Sequence, residues 1–224
     1  MKNLFTLLIP AILFSLTFAS CRTSLGTASF YTDNEWLIEG NGITQIWSDA
    51  VQTDRCRNKS RFNGGNFGRF LFRRGSWDIG PGSFHIDCRS NPGFPGDLFS
   101  WQAVYELGYV LCPYPWRVPT MQDFINLDIA LGGTGLNRFT TSDIVPHSEF
   151  VINNYISRWG GAFGGYSDPG GRLICHQRRA WGNYWTLTEF NGGNGHRLGF
   201  NTDGVALPQG SRGKTLGLTL RCVR

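Results

Sequence analysis

The amino-acid sequence predicts an α+β fold, in which short strands and glycine-rich loops accompany one or two helices. Glycine makes up 30 of the 224 residues, a share typical of a chain with many turns. Charged residues make up only 17%, so long helices are not expected to dominate. Hydrophobic residues make up 41%, which is enough for a buried core and too much for a disordered chain.

The clearest helix signal covers residues 120–131. Thr120 is a favourable N-cap, and Asp123 follows at the position that completes a pattern like a capping box. Apolar residues then recur at helical spacing, and the glycine pair 132–133 ends the segment. A second helix is predicted over 147–159, where the apolar residues are Phe150, Val151, Tyr155 and Trp159.

Short strands are predicted before and after these helices. Partial alternation predicts a strand over 67–73, and the segment 98–108 is interpreted as a short aromatic strand or turn. Three further strands are predicted over 184–190, 196–200 and 216–223.

The first twenty residues have the pattern of a secretory signal peptide. A short cationic start is followed by an apolar run over 4–18 and by small residues. The run is shorter than the roughly 20 residues of a transmembrane helix, so no membrane span is expected after processing.

Ala19-Ser20-Cys21 resembles the bacterial lipobox, in which the cysteine becomes the lipid-modified first residue. We therefore expect Cys21 to anchor the protein to a membrane; the alternative is ordinary cleavage with Cys21 in a disulfide. Arg22 stands where an Asp would favour the inner membrane, so the outer membrane is the expected location. The sequence leaves periplasmic and outward-facing placement open.

Composition also suggests the domain organisation. Residues 21–45 are polar and rich in Ser, Thr and Gly, which predicts a tether, and 46–224 form a single domain. The net charge of +5 permits an anionic partner, but no nucleic-acid-binding motif is present, and nucleic acid is not expected as a partner.

Four segments occur in a recognisable order: Leu98-Phe-Ser-Trp-Gln-Ala-Val, Cys112-Pro-Tyr-Pro-Trp-Arg-Val-Pro-Thr-Met-Gln-Asp-Phe-Ile-Asn-Leu, Trp185-Thr-Leu-Thr-Glu and Leu220-Arg-Cys-Val-Arg. Over about residues 97–224 this order resembles the Fibrobacter succinogenes major paralogous domain (FISUMP) family. Pro115 and Leu187 depart from the usual Gly and Ser. The resemblance implies a C-type-lectin-like α+β domain, related to formylglycine-generating enzymes, in secreted or lipid-anchored proteins of Bacteroidetes and similar bacteria.

The same resemblance implies a core disulfide between Cys112 and Cys222, which joins the helix start to the last strand. Cys56 and Cys88 are then the expected second pair, and Cys175 is left over, although it could replace a partner in either pair. The cysteine spacing alone does not decide the connectivity.

No catalytic pattern stands out in the sequence. There is no Cys-x-x-Cys pair and no Gly-x-Ser-x-Gly, and the calcium-binding motifs of C-type lectins are missing. We therefore expect no enzyme activity, no metal site and no cofactor.

A candidate ligand-binding loop is predicted near 181–203, because loops carry the binding sites of many scaffolds. Its residues are Trp181, Trp185, Glu189, Asn191, Asn194, His196 and Asp203. For Trp185 a core position is favoured over a sugar platform, and Glu189 is expected to satisfy backbone groups or an arginine.

These observations predict a lipid-anchored, noncatalytic envelope protein that binds or adheres to a protein or glycan partner. Two alternatives stay open: a structural subunit of a surface or fimbrial assembly, and an enzyme of unknown reaction. Fold resemblance does not decide between them.

Overall fold

A computed structural model describes the chain over residues 34–53, 56, 86, 88–137, 148–169, 172–174 and 180–224. Several predicted features lie outside the described residues. They are the signal peptide over 1–20, the lipidated Cys21, the strand over 67–73 and the leftover Cys175.

Strands dominate the described part of the chain, and the α+β class is confirmed. The strands are β1 (Glu35–Gly40), β2 (Ile43–Ala50), β3 (Cys88–Arg89), β4 (Leu98–Ser100), β5 (Tyr166–Ser167), β6 (Leu173–Ile174), β7 (Trp181–Asn191), β8 (Asn194–Asn201), β9 (Ala206–Gly213), β10 (Gly217–Thr219) and β11 (Arg221–Val223). The helices are α1 (Trp101–Leu111), α2 (Met121–Ala130) and α3 (Ser148–Ser157).

Two sheets share these strands. The smaller has the order β1-β2-β11, and the larger runs β3-β4-β10-β7-β8-β9, with β5 paired to β10 and β6. Leu220 alone separates β10 from β11, so the chain passes from one sheet to the other within a single residue. The last strand thereby ties both ends of the domain together, because Val223 of β11 pairs with Trp47 of β2.

β1 changes the predicted domain boundary. It lies inside the segment 21–45 that was predicted as a tether, and it pairs along its whole length with β2. The ordered domain therefore begins before residue 46. The polar composition of this segment concealed the strand, because only one of its two faces is covered: Ile38 is fully buried and Leu37 is exposed.

Helix α2 forms where the sequence predicts it. The Thr120 side chain accepts a hydrogen bond from the Asp123 backbone, and the Asp123 carboxylate accepts one from the Thr120 backbone. The capping box therefore satisfies two amide groups that a helix start leaves without partners. The second predicted helix, 147–159, is also confirmed as α3.

Helix α1 corrects the interpretation of 98–108 as a strand or turn. Only Leu98–Ser100 is extended, and Ser100 then caps the helix by accepting a hydrogen bond from the Ala103 amide. The buried residues of the helix recur at helical spacing, at Trp101, Val104, Leu107 and Leu111. Aromatic residues on its exposed face hid this period in the sequence.

Aromatic side chains fill one half of the core. Trp47 stacks on Phe124 of α2, with ring centroids 5.2 Å apart, and meets Trp159 edge-on at 5.4 Å. Tyr155 of α3 stacks on Phe200 of β8 at 4.9 Å. These contacts hold α2 and α3 against both sheets, and large buried rings contribute strongly to core stability.

Both expected disulfides are present. Cys56 pairs with Cys88, and Cys112, just after α1, pairs with Cys222 of β11. The second bond joins positions 110 residues apart and fixes the end of α1 to the last strand.

Candidate functional site

The described residues form a groove between α1 and the segment 112–120. Its volume is about 720 Å³, and Leu187 of β7 contributes to its lining. We call it the aromatic groove; its defining residues are Tyr105, Tyr109, Tyr114, Trp116, Arg117 and Leu187.

Three tyrosines of the groove are exposed to solvent. Tyr105 and Tyr109 stand four residues apart on the outer face of α1, which places their side chains on the same side of the helix. Their exposed fractions are 56% and 70%, and Tyr114 is 97% exposed. Large aromatic side chains so open to solvent and so close together are typical of interaction sites.

At the groove, α1 approaches the segment 112–118 closely. A Cβ atom at Gly108 would lie 2.9 Å from Cγ2 of Val118, so a side chain there would push the two apart. Cys112 also lines the groove, and its disulfide to Cys222 holds this wall in place.

An ion pair sits at the rim. The two terminal nitrogens of the Arg117 guanidinium donate to the two Asp123 carboxylate oxygens at 2.6 and 2.7 Å. Burial alone raises the pKa of Asp123, but hydrogen bonds from Arg117 and Thr120 outweigh burial and lower that pKa below its ordinary value. The hydrogen bond to Asp123 raises the pKa of Arg117. Both groups are therefore charged at neutral pH, and together they add no net charge to the groove.

Cations support the groove from behind. The Arg224 guanidinium lies 4.8 Å from the Trp116 ring centroid, and its Nη2 atom donates to the Glu35 carboxylate at 2.6 Å. Tyr105 stacks on Trp101 at 5.1 Å, and the Lys214 ammonium lies 4.2 Å from the Trp101 ring. Rings held in this way present a preorganised surface.

The candidate ligand-binding loop is a hairpin rather than a loop. β7 and β8 pair up to Asn191 and Asn194, and only Gly192 and Gly193 form the turn. The Asn191 side-chain oxygen accepts from the backbone amides of Gly193 and Asn194, so this amide group stabilises the turn. His196 stands edge-on to Phe190, with ring centroids 5.1 Å apart.

The other residues proposed for that loop are dispersed or occupied. Trp185 is fully buried and its indole nitrogen donates to the Phe99 carbonyl at 2.7 Å, which confirms a core position. Glu189 pairs with Lys214 rather than with an arginine. Trp181 and Asp203 lie toward the opposite end of β8 from Asn194. The seven predicted residues therefore do not form one site.

The groove residues were not predicted from the sequence. The available signal was the pair Tyr105 and Tyr109, whose spacing of four residues matters only once 101–111 is recognised as a helix. The adjacent motif around Trp116 and Arg117 was recognised only as part of the FISUMP-like segments, and no binding role was predicted for it.

The described residues contain no group of three or more His, Cys, Asp or Glu side chains that could hold a metal ion. Within the same residues, no helix has the length and apolar character needed to cross a membrane. A comparison of the chain with protein-family models, curated proteins and solved structures finds no match.

Proposed function

We propose that the protein is a noncatalytic binding module of the bacterial outer membrane, anchored by a lipid on Cys21, whose aromatic groove holds an extended segment of a partner protein. The observation that carries this proposal is the convergence of three exposed tyrosine rings on one groove. Tyr, Trp and Arg are the residues enriched where proteins bind one another, and all three types line this groove.

The chemistry of the lining favours a peptide over a sugar. Tyr105, Tyr109, Trp116 and Leu187 offer mostly apolar surface, and the Arg117 guanidinium is already engaged by Asp123. A sugar brings many hydroxyl groups. Desolvating each hydroxyl without a hydrogen-bond partner costs free energy and weakens binding. An extended peptide rich in proline or other apolar residues needs few such partners, and aromatic-lined grooves are known to bind such segments.

The envelope location and the family belong to this proposal. They are supported by the lipobox-like Ala19-Ser20-Cys21 and by the four FISUMP-like segments in the sequence. The disulfide between Cys112 and Cys222 and the α+β class agree with the C-type-lectin-like fold that the resemblance implies.

A peptide selection tests the groove. Random peptides are displayed and selected against the purified protein, and the affinity of the selected peptides is measured by titration calorimetry. We expect Tyr109→Ala to weaken binding about tenfold or more, because an aromatic hot-spot residue contributes about 2 kcal/mol or more.

Phe190→Ala is the matched control. Phe190 is 55% exposed and lies near the tip of the β7–β8 hairpin, so it is comparably accessible but outside the groove. Its substitution should leave the affinity unchanged. If Phe190→Ala weakens binding of the selected peptides and Tyr109→Ala does not, the binding site lies on the hairpin, and the proposal for the groove is refuted.

Immobilised glycans provide the second arm. If a glycan binds the wild-type protein and does not bind the Tyr109→Ala variant, the ligand of the groove is a glycan and not a peptide. Separately, mass spectrometry of Cys21 in protein from the membrane fraction tests the anchor: an acylated Cys21 supports it, and an unmodified Cys21 in a disulfide would make a freely secreted module the better description.

A further inference from the structure

Arg197 of β8 is a buried cation that lacks a counterion among the described residues. Its exposed fraction is 2%, and its Nε and Nη1 atoms are buried without a hydrogen-bond partner. A guanidinium presents five N–H donors in a rigid fork, and burying such donors unpaired is strongly unfavourable. A bound partner of opposite charge would therefore stabilise this residue.

The fold makes room for this guanidinium. Gly199, two residues along the same strand, has no side chain, and a Cβ atom there would overlap Nη1 of Arg197. Glycine also stands opposite Arg197 on the neighbouring strand, at Gly210 of β9. The side chain thus lies along the sheet surface, in a space that larger residues at 199 would fill.

A second cation stands beside it. Arg212 of β9 is partly exposed, but its Nε atom is buried and also lacks a hydrogen-bond partner in the described part of the chain. The two guanidinium groups rest on aromatic rings: Arg197 lies 5.5 Å from the Trp181 centroid, and Arg212 lies 5.7 Å from the Tyr166 centroid. These contacts orient the two cations but do not neutralise them.

Arg197 remains charged at neutral pH. Burial, followed by the positive charge of Arg212, lowers the pKa of Arg197 to about 9, while Tyr166 acts in the opposite direction. Since this pKa is still well above 7, the folded protein holds two neighbouring positive charges. A bound anion would offset their repulsion and satisfy the unpaired donors.

We propose that Arg197 and Arg212 form a binding site for a small oxyanion, a carboxylate or phosphate group, separate from the aromatic groove. Arg212 is the accessible member and meets the ligand first. Arg197 is the buried member and provides Nε and Nη1 donors that have no hydrogen-bond partner among the described residues. Arginine suits this role because its planar fork matches the two oxygens of a carboxylate or phosphate.

Binding is tested with inorganic phosphate and with acetate at neutral pH, each against sodium chloride at matched ionic strength. Thermal unfolding and titration calorimetry of the wild-type protein should show a saturable response to at least one oxyanion and none to chloride. The phosphate and acetate arms distinguish the two ligand chemistries. Absence of a saturable response to both would overturn the proposal.

Variants then locate the site. Arg197→Gln and Arg212→Gln should each weaken the oxyanion about tenfold or more, because each removes a charged partner. Arg158→Gln is the control. Arg158 is exposed on the segment after α3, so this substitution should leave the oxyanion affinity unchanged. If Arg197→Gln does not fold, the partly exposed Arg212 decides the outcome. Unchanged affinity in Arg212→Gln would place the oxyanion elsewhere and refute the site.

Discussion

The Lys214 ammonium lies 4.2 Å from the centroid of the Trp101 ring, and the Lys214 carbonyl accepts a hydrogen bond from the Trp101 backbone amide. Trp101 in turn stacks on Tyr105, so a buried lysine supports one of the exposed rings of the aromatic groove. This arrangement connects the start of α1, the end of β9 and the groove.

Lys214→Met should destabilise the protein by about 1–2 kcal/mol, because a desolvated cation–π contact is lost. Chemical denaturation measures this change. Glu189→Gln is the comparison, since glutamine keeps an oxygen that can accept from Lys214, and the pair is half exposed on the Glu189 side. Its effect should stay below about 1 kcal/mol. Equal losses in the two variants would contradict a distinct contribution from the ring.

Gly195→Ala should also destabilise the protein, by about 1–3 kcal/mol, because a Cβ atom at this position would overlap the indole ring of Trp101. The strand cannot move away easily, since Gly195 pairs with Glu189 on one side and Arg212 on the other. Denaturation of the variant measures the loss, with Gly192→Ala as the control.

Gly192 lies in the turn of the same hairpin, and apart from its two chain neighbours no described residue has an atom within 4 Å of a Cβ built there. The control should therefore be close to neutral. A Gly195→Ala protein as stable as the Gly192→Ala protein would show that the Trp101 ring can shift, and that the groove is less rigid than its contacts indicate.

The helices could be predicted from the sequence only where their signal lies in a few neighbouring residues. Helix α2 was predicted because its capping box lies within four residues, from Thr120 to Asp123. Helix α1 was missed because the exposed Tyr105 and Tyr109 hide its apolar period, and only packing shows that Trp101 is buried while Tyr109 is exposed. Short apolar segments are ambiguous between strand and helix for this reason.

The candidate site was harder to predict than the fold. Its two walls, α1 and the segment 112–120, are brought to their close approach by Gly108 and Val118, a contact that no local pattern reveals. The predicted hairpin residues were chosen for their chemistry alone. The structure shows that Asn191 serves the turn and that Trp185 serves the core.

Acid should weaken the fold partly through Asp123. The folded protein lowers the pKa of this carboxyl below its unfolded value, which is about 3.9. The stabilisation is therefore complete above that value and is lost as the pH falls through the lower, folded pKa. Asp123→Asn should cost about 1.5–3 kcal/mol at neutral pH and progressively less in acid.

Thr120→Ala serves as the comparison for this pH dependence. It removes the N-cap hydroxyl, which should cost about 1 kcal/mol, but it keeps the ion pair between Arg117 and Asp123. Denaturation of the three proteins between neutral and acid pH should show most of the acid dependence retained in Thr120→Ala and reduced in Asp123→Asn. This account would be contradicted if the difference in unfolding free energy between the wild type and Asp123→Asn stayed constant as the pH falls.

The two disulfides should differ in their effects on stability and on the groove. In the chain-entropy model, a bond closing 110 residues contributes about 5 kcal/mol and one closing 32 residues contributes about 4 kcal/mol. Replacing Cys112 and Cys222 together by alanine should therefore destabilise the protein more than replacing Cys56 and Cys88, as measured by chemical denaturation.

The two disulfides should differ more in their effect on peptide binding than in their effect on stability. Cys112 lines the aromatic groove, and its bond to Cys222 holds the groove wall against β11, whereas neither Cys56 nor Cys88 lines the groove. Any variant without the Cys112–Cys222 bond that still folds should bind the selected peptides more weakly, and the variant without the Cys56–Cys88 bond should bind them as the wild type does. Peptide binding that survives loss of the first bond, or depends equally on both, would mean that α1 and the segment 112–118 maintain the groove without it.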